Sequence, residues 1–405
     1  MEQYPETGIY IHIPFCVKKC GYCDFLSTPT GKETQHKYVN ALLKEMEYYK
    51  KKLKNYKIRT IYIGGGTPSI LEGVEMQRIL AALKKIGRNQ EMLEQGQITD
   101  FWEEATIEVN PGTVTEEKLT IYLQGRINRL SMGLQSSDNE ELKLLGRIHT
   151  FEEFTKNYKL ARKVGFKNIS IDLMSALPGQ TLEKWKQSLY HTIELEPEHI
   201  SAYSLIIEEN TLFEKLYGEN GEKKDLLPSE EVEREMYEIT GKILKKAGYQ
   251  RYEISNYAKN GKESKHNSSY WQGIDYIGMG LGASSCFQNE RYHNIDDLNE
   301  YIRNLAHGKN VIEEREKQTK KSKMEEFMFL GLRMTKGISK QLFYKKFSVR
   351  LYDIYGNIIQ KFMKEGLLLE EGDRLFLSDK GIDISNWIFS EFLLEEENES
   401  VQKQR

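Results

Sequence analysis

A short cysteine-rich segment near the start of the chain limits what this sequence can fold into. Cys16, Cys20 and Cys23 follow the spacing Cys-x3-Cys-x2-Cys within Pro14–Phe25, and only one further cysteine occurs in 405 residues. Three thiolates this close together can each bind one iron of a cubic [4Fe–4S] cluster and leave the fourth iron open for chemistry. The apolar run Ile9–Ile13 predicts a strand before them, so a cluster bound there would lie at a carboxyl strand end, where α/β sheets and barrels hold active sites.

Zinc and a disulfide are the alternatives for these cysteines. A zinc site normally has four protein ligands, or three and a water, and its cysteines come in pairs of another spacing. A disulfide framework is typical of short secreted chains. This chain is long, starts with the polar stretch Met1–Thr7 rather than a signal peptide, and has no apolar run long enough to span a membrane. We therefore expect a reducing cytoplasm, which favours the cluster.

The charge balance argues against nucleic acid as a partner. Lys+Arg 58 against Asp+Glu 61 gives a formal net charge of -3, so no overall positive field attracts nucleic acid. The length is sufficient for a large core with one or two smaller units.

Strands and amphipathic helices alternate through residues 1–205. The candidate strands are Ile9–Ile13, Thr60–Ile63, Thr106–Val109, Asn128–Met132, Asn168–Asp172 and His199–Tyr203. This alternation predicts the α/β class and a parallel sheet with right-handed crossovers. Six such units predict an open, partial (β/α)6 barrel. A flat, doubly wound sheet is the alternative that periodicity alone does not exclude.

Polar or glycine-rich motifs follow several of these strands. The turn Gly64–Ser69 carries three glycines in a row, which let a backbone approach a ligand closely. Glu108 and Asp172 end two strands; the carboxylate of Glu108 is suited to a ribose diol, and Asp172 is a further candidate ligand group. Gln135 and Arg147 follow the fourth strand, and the guanidinium fork of arginine is suited to a carboxylate. Taken alone, most glycine turns are only tight turns, Gln135 and Arg147 are more often surface or helix-end residues, and Glu108 is as often a loop-capping charge. For Asp172 the alternative is a buried aspartate that holds loop amides.

In their order along the chain, these motifs resemble the radical S-adenosylmethionine (SAM) superfamily. Within it they are similar to the family of oxygen-independent coproporphyrinogen III oxidases and its relative HemW, over nearly the whole chain. In such proteins SAM binds the open iron through its amino and carboxylate groups. The resemblance implies that Cys16, Cys20 and Cys23 hold the cluster and that Tyr10, Tyr22, Gly65, Gly66, Thr67, Glu108, Gln135, Arg147 and Asp172 contact SAM.

Two departures from the oxidase pattern favour the HemW branch. The oxidase carries another cysteine two positions after the third ligand, where this chain has Phe25. The oxidase also has a longer N-terminal segment, whereas the cysteine loop here begins almost at once. The resemblance then implies a haem chaperone that passes haem to respiratory or other haem proteins. Oxidative decarboxylation of coproporphyrinogen III is the alternative function.

Residues 206–312 predict a small α+β segment that contains a second motif of interest. His266, Asn267, Tyr270 and Trp271 form the pattern His-Asn-x-x-Tyr-Trp. It resembles the pattern linked to haem binding in HemW, which implies that these four residues contact haem. An imidazole can bind haem iron axially, and aromatic rings can cover the macrocycle. A hydrogen-bonded structural histidine beside core aromatics is the alternative.

Residues 313–392 predict a separate, winged-helix-like domain. A charged run, Glu313–Lys323, predicts a linker or helix start; three helical patterns follow, and then a hairpin that turns at Glu371–Arg374. Winged helices often bind DNA, but this stretch mixes both charges, so we expect it to face protein. Residues 393–405 predict a disordered tail. The whole sequence predicts a cytoplasmic protein that has no integral membrane segment but can associate peripherally with a membrane, with a [4Fe–4S] cluster, SAM and haem as cofactors.

Overall fold

The computed structural model describes residues 4–394, and within them twelve strands form one large sheet. The strands are β1 (Glu6–Ile13), β2 (Lys57–Gly65), β3 (Glu104–Val109), β4 (Arg129–Gln135), β5 (Ile169–Ser175), β6 (His199–Ser204), β7 (Gln250–Arg251), β8 (Asn256–Ala258), β9 (Tyr276–Met279), β10 (Ser284–Phe287), β11 (Glu290–Asn294) and β12 (Ile312–Lys317). Their order is β12-β11-β10-β9-β1-β2-β3-β4-β5-β6-β8-β7. Of the tail predicted to be disordered, residues 395–405 lie outside the described residues.

The six predicted strands of residues 1–205 are confirmed as β1 to β6. Each pairs in parallel with the next one along the chain. A doubly wound sheet reverses its strand order at a switch point, whereas here every crossover advances by one strand in the same direction. Crossovers of one hand then place their helices on one face of the sheet. The partial (β/α)6 barrel is therefore confirmed over the flat alternative.

Helices separate these strands and continue beyond them. They are α1 (Lys32–Lys52), α2 (Gly73–Leu83), α3 (Asn89–Glu94), α4 (Glu116–Gln124), α5 (Asn139–Leu144), α6 (Phe151–Val164), α7 (Leu182–Glu194), α8 (Leu212–Tyr217), α9 (Glu230–Lys246), α10 (Lys265–Trp271) and α11 (Leu298–Ala306). Thr150 and Glu153 form a capping box that starts α6, and Gly165 ends it at φ +122°. No helix of the described residues is both long and apolar enough to cross a bilayer.

The barrel strands alternate apolar and polar residues although nearly all of them are buried. On β4, Leu130, Met132 and Leu134 are fully buried in the apolar core that the helices share. The residues between them belong to the opposite face, where Ser131 donates to Asp172 on β5. This arrangement gives the barrel an apolar outer layer and a polar, hydrogen-bonded interior.

Strands from residues 206–312 extend the same sheet at both ends. β9 pairs in parallel with β1, and β8 pairs antiparallel with β6. At one edge, residues 313–317 of the charged run belong to β12, and α12 (Lys320–Gly331) begins three residues after that strand. A linker or helix start was predicted for this run, and its first part forms a strand instead. Charges are compatible with an edge strand, because they hinder its pairing with another chain.

The described chain divides into two compact units. The first comprises the residues up to Arg251, Ser255–His266 and Ile274–Glu316, and the second comprises Tyr252–Ile254, Asn267–Gly273 and the chain from Lys317 onward.

The second unit confirms the winged-helix-like prediction. It contains α12, α13 (Lys340–Phe347), α14 (Leu351–Lys364), α15 (Asp379–Asp383) and α16 (Ser385–Glu391), with β13 (Ile338–Ser339), β14 (Leu368–Glu371) and β15 (Arg374–Leu377) in one antiparallel sheet. Phe327 packs edge to face against Phe343 and Phe347, and Phe343 also packs edge to face against Tyr355. These aromatic contacts join α12, α13 and α14 in one core.

Candidate iron–sulfur and SAM site

The cysteine loop between β1 and α1 is fastened to the rest of the first unit by its backbone. The Cys16 amide donates to the Thr28 carbonyl (3.3 Å), which closes the base of the loop. The Gly21 amide donates to Leu145 (3.2 Å), and the Gly21 carbonyl accepts from Phe213 (2.9 Å). These bonds tie the cysteine loop to Leu145, which follows α5, and to Phe213 on α8.

The three thiols of this loop are partly buried and close to one another. Burial raises the pKa of the Cys23 thiol to about 11; the Phe25 amide lowers it, and the neighbouring Cys20 and Cys16 thiols raise it further. Among residues 4–394, no three His, Cys, Asp or Glu side chains converge tightly enough to hold a single metal ion. A cubic cluster does not require the three sulfurs to converge on one ion, because each thiolate binds a different iron.

The glycine turn after β2 lies directly against the cysteine loop. A Cβ atom on Gly66 would come within 2.6 Å of the Phe15 carbonyl oxygen and 3.0 Å of the Cys16 sulfur. Gly65 has φ +110°, and a Cβ there would lie 2.6 Å from the His12 ring. Gly66 is therefore required by the close approach of the two loops, and Gly65 by its left-handed backbone and the His12 ring beside it.

Arg147 lies beside the same loop. Its Nη1 is 3.9 Å from the Cys20 sulfur, and its Nη2 donates to the Gly133 carbonyl (2.8 Å). Burial lowers the pKa of this guanidinium, but Tyr22 and Cys20 raise it more, so that it lies above its usual value. Its Nε is buried and has no hydrogen-bond partner among the described residues. A cationic donor next to Cys20 is thus left to bind an anion.

Glu108 extends from β3 beside the glycine turn. Its carboxylate accepts hydrogen bonds from the Tyr62 hydroxyl (2.7 Å) and the Gly65 amide (3.1 Å). Burial raises the pKa of Glu108 to about 7; Tyr62 and the Gly65 amide lower it, and the charge of Asp172 raises it further. The carboxyl group is therefore close to half-ionised at neutral pH.

Asp172 and Gln135 are held by their neighbours across the barrel. Burial raises the pKa of Asp172, although the Ser201 and Ser131 hydroxyls lower it. Gln135 has a left-handed backbone with φ +71°, and its Oε1 accepts from the Tyr203 hydroxyl at 3.1 Å. A non-glycine residue in that region costs about 1–3 kcal/mol, so the surroundings must fix it there.

Tyr10 and Tyr22 are the aromatic residues predicted to contact SAM. The Nε2 of His12 donates to the Leu26 carbonyl (2.9 Å), so its Nδ1 must accept from the Tyr10 hydroxyl (2.9 Å). Burial lowers the pKa of His12, in agreement with this neutral tautomer. Tyr22 packs edge-on against Phe213 at 6.1 Å, which ties the cysteine loop to α8.

Comparisons with known proteins identify the family. The profile of the radical SAM superfamily matches residues 10–189, and that of the HemN C-terminal domain matches residues 318–384. The haem chaperone HemW of Lactococcus lactis is 38% identical over 98% of this chain and 100% of its own length. The chain belongs to the HemW family. The haem chaperone HemW of Bacillus subtilis is similar at 36% identity, over 95% of this chain and 98% of its own.

A solved structure agrees with HemW membership at the level of the fold. Coproporphyrinogen III oxidase (HemN) from Escherichia coli, a radical SAM enzyme, has a TM-score of 0.82 and 22% identity, over 96% of this chain and 90% of its own. At that identity the likeness shows the fold alone.

The residues of this HemW chain fit the cofactors that the superfamily implies, a [4Fe–4S] cluster and SAM. Cys16, Cys20 and Cys23 would hold three irons on a loop that backbone hydrogen bonds tie to the barrel, and the backbone of the glycine turn lies beside Cys16. The unpartnered Nε of Arg147 suits the SAM carboxylate, and Glu108 suits the ribose diol. When bound, this pair supplies electron transfer and radical chemistry, which the protein directs by binding and orientation.

His266, the first residue of the predicted HemW haem motif, lies inside the barrel. Its ring is only 1% exposed, its Nδ1 shares a 2.9 Å hydrogen bond with the Thr60 hydroxyl, and it stacks on Tyr62 with ring centroids 5.3 Å apart. Burial and then the Arg129 charge lower the pKa of this imidazole to about 3. The ring is neutral, and in this conformation it is not on the surface.

Asn267, Tyr270 and Trp271 continue the motif along α10 and belong to the second unit. The guanidinium of Arg333 lies over the Trp271 ring, 4.4 Å from its centroid. The Trp271 Nε1 is buried without a hydrogen-bond partner among the described residues. The motif is thus divided, with its histidine assigned to the barrel unit and its aromatic residues to the other.

Sequence reasoning missed three residues of the site. Tyr62 holds Glu108, Asn110 contacts both Thr67 and Arg147, and Arg129 is a buried cation whose charge acts on Glu108 and Asp172. The alternation of polar and apolar residues along β2, β3 and β4 was a signal for them, because it marks the face that lines the interior.

Proposed function

We propose that this chain is a haem chaperone, which binds a [4Fe–4S] cluster, SAM and haem and transfers haem to acceptor haem proteins. The observation that carries the proposal is the 38% identity to a haem chaperone HemW across 98% of this chain and all of that relative. Similarity along the full length includes both units, so it supports a shared activity and not only a shared barrel. A cytoplasmic location with acceptor proteins as partners belongs to this proposal.

The proposed haem ligands require a movement. His266, Asn267, Tyr270 and Trp271 are the proposed haem contacts, but the His266 ring is 1% exposed and its Nδ1 is engaged by Thr60. Axial ligation through this imidazole therefore needs α10 to shift so that the ring becomes accessible. We expect haem binding to be slower than diffusion and to disturb the stacking of His266 on Tyr62.

The proposal is tested with protein purified and reconstituted without oxygen. Wild type should gain iron and sulfide, Cys20→Ala should lose the intact cluster, and Cys286→Ala, whose cysteine lies on β10, is the matched control that should keep it. Absence of iron in reconstituted wild type would refute the cluster site.

Haem titration then tests the second part. His266→Ala should weaken haem binding or change its absorption spectrum, whereas His307→Ala, an exposed histidine that ends α11, should not. An unchanged spectrum and affinity in His266→Ala would remove this residue from the ligands. Incubation with coproporphyrinogen III, SAM and a reductant tests the alternative function. Formation of protoporphyrinogen would show oxidative decarboxylation and contradict a function as a chaperone alone.

A further inference from the structure

Two of the three cysteines of the loop have a hydrogen-bond donor from another part of the barrel. The Thr67 hydroxyl oxygen lies 3.5 Å from the Cys16 sulfur, and Arg147 Nη1 lies 3.9 Å from the Cys20 sulfur. Thr67 follows β2 and Arg147 follows α5, so the chain does not connect them locally. One side chain, Asn110 at the end of β3, bonds to both of them.

The donor and acceptor atoms of the Asn110 amide fix the direction of its hydrogen bonds with Arg147 and Thr67. An arginine can only donate, so the atom 2.8 Å from Arg147 Nη2 is the Asn110 carbonyl oxygen. The Nδ2 group then faces Thr67 and donates to its hydroxyl oxygen, also at 2.8 Å. A cysteine that binds a cluster iron is a thiolate and can only accept, so the hydroxyl of Thr67, which accepts from Asn110, donates its own proton to the Cys16 sulfur. Thr67 and Arg147 are therefore both donors toward cysteine sulfurs.

We propose that Asn110 is a positioning residue that aims these two donors at the sulfurs of Cys16 and Cys20 and so raises the reduction potential of the cluster. The inference rests on the proposed cluster site. Hydrogen bonds to ligating sulfurs withdraw electron density, which stabilises the reduced and more negative form. Groups that orient the ligands from outside tune a metal centre in the same way.

Asn110→Asp is the sharpest test of this role. A carboxylate still accepts from Arg147, but it cannot donate to Thr67; the Thr67 hydroxyl turns toward it and leaves Cys16. The added negative charge acts in the same direction. At the potential where the wild-type cluster is half reduced, we expect the ratio of reduced to oxidised cluster to fall about tenfold, equivalent to about 59 mV for one electron. Redox titration of reconstituted protein without SAM measures it.

Asn157→Asp is the matched control for the change of charge. Asn157 accepts from the Gly112 amide of the same loop (3.4 Å) but makes no hydrogen bond with Thr67 or Arg147. It should keep the wild-type potential. Thr67→Val removes the hydroxyl that donates to Cys16 and accepts from Asn110, adds no charge, and should also lower the potential. Thr67→Ser keeps the hydroxyl and should retain the wild-type potential.

The outcomes separate this inference from the proposed cluster. If wild type gains no iron, the cluster site itself is wrong. If wild type and Asn110→Asp carry equal iron and sulfide and have the same potential, the role of Asn110 is overturned. If Asn110→Asp assembles no cluster, Thr67→Val decides: a lowered potential supports the donor arrangement, and an unchanged potential overturns it.

Discussion

The carboxylate of Glu108 accepts a 2.7 Å hydrogen bond from the hydroxyl of Tyr62, on the neighbouring strand. Burial raises the pKa of Glu108 and this bond lowers it, and the net pKa is about 7. Tyr62 therefore increases the fraction of the carboxylate that is ionised near neutral pH, against the effect of burial. The strength of Glu108 as an acceptor for a ribose diol depends on that fraction, which links a residue missed in the sequence to the predicted SAM site.

SAM affinity should consequently depend on pH through Glu108. The raised pKa means that the carboxylate is mostly protonated at pH 6 and mostly ionised at pH 8, a change of about tenfold in the ionised fraction. The amino group of SAM also titrates near this range, so the comparison is with Glu108→Gln at each pH. We expect the affinity ratio of wild type to Glu108→Gln to rise about tenfold from pH 6 to pH 8, measured by calorimetry on reconstituted protein.

Tyr62→Phe tests the same relationship from its other partner. Loss of the hydroxyl removes a bond that lowers the pKa of Glu108, so the rise in SAM affinity should move to higher pH. Tyr122→Phe is the control, because the Tyr122 hydroxyl is buried with no hydrogen-bond partner among residues 4–394. A pH profile that is the same in wild type and Tyr62→Phe would show that Glu108 does not govern SAM binding.

Gly66→Ala should prevent cluster assembly without unfolding the protein. The new methyl group would lie 2.6 Å from the Phe15 carbonyl oxygen and 3.0 Å from the Cys16 sulfur, so the cysteine loop must move away. Iron and sulfide content after reconstitution should fall to a small fraction of wild type, with an unchanged circular dichroism spectrum. Gly31→Ala is the matched control, since a Cβ there meets no atom within 4 Å and φ is -76°. Normal cluster content in Gly66→Ala would show that this approach of the loops is not needed.

The order of the barrel was predictable because its signal is local. Strands such as β4 carry apolar residues at every second position, and helices with apolar stripes separate them, so the six units can be read from the sequence. The strands of residues 206–312 could not be read in this way. β7 has two residues and β8 has three, which is too short for a period to appear.

The site was predictable where a motif fixes it and not where distant strands create it. The cysteine spacing and the glycine turn were found, and both lie together in the structure. Asn110 was missed, because its role arises from Thr67 and Arg147, which follow other elements. For His266 the sequence left two interpretations open, a haem ligand and a structural histidine, because only the tertiary fold places Thr60 and Tyr62 around its ring.

The stability of the first unit should fall as pH rises, through Glu45 on α1. This carboxylate is 2% exposed and accepts from the Asn294 side chain (2.7 Å), the Gly280 amide (2.8 Å) and the Tyr301 hydroxyl. Burial raises its pKa more than those three bonds lower it, so that the net pKa is about 7. Because the pKa is raised in the folded state, the contribution of Glu45 to the free energy of unfolding is fully present below about pH 4.5. This contribution is lost as pH rises through about 7.

The size of this effect follows from the shift, at about 3 kcal/mol between pH 4.5 and pH 8. Glu108 acts in the same direction, so Glu45→Gln is needed to isolate the contribution. We expect the free energy of unfolding of wild type, relative to Glu45→Gln, to decrease by this amount across that range in urea titrations. Glu47→Gln, on the exposed side of α1, is the matched control. A constant difference between wild type and Glu45→Gln would contradict the expectation.

Two fully buried tyrosines should respond in opposite directions when their hydroxyl is removed. Tyr301 donates to Glu45, so Tyr301→Phe leaves a buried carboxylate short of a donor and should destabilise the protein by about 1–3 kcal/mol. The Tyr355 hydroxyl in the second unit is buried with no hydrogen-bond partner among the described residues. Tyr355→Phe therefore removes only a desolvated polar atom and should raise the free energy of unfolding by about 1 kcal/mol. Urea denaturation of both variants measures the contrast, and equal losses of stability would show that hydrogen bonding does not separate the two sites.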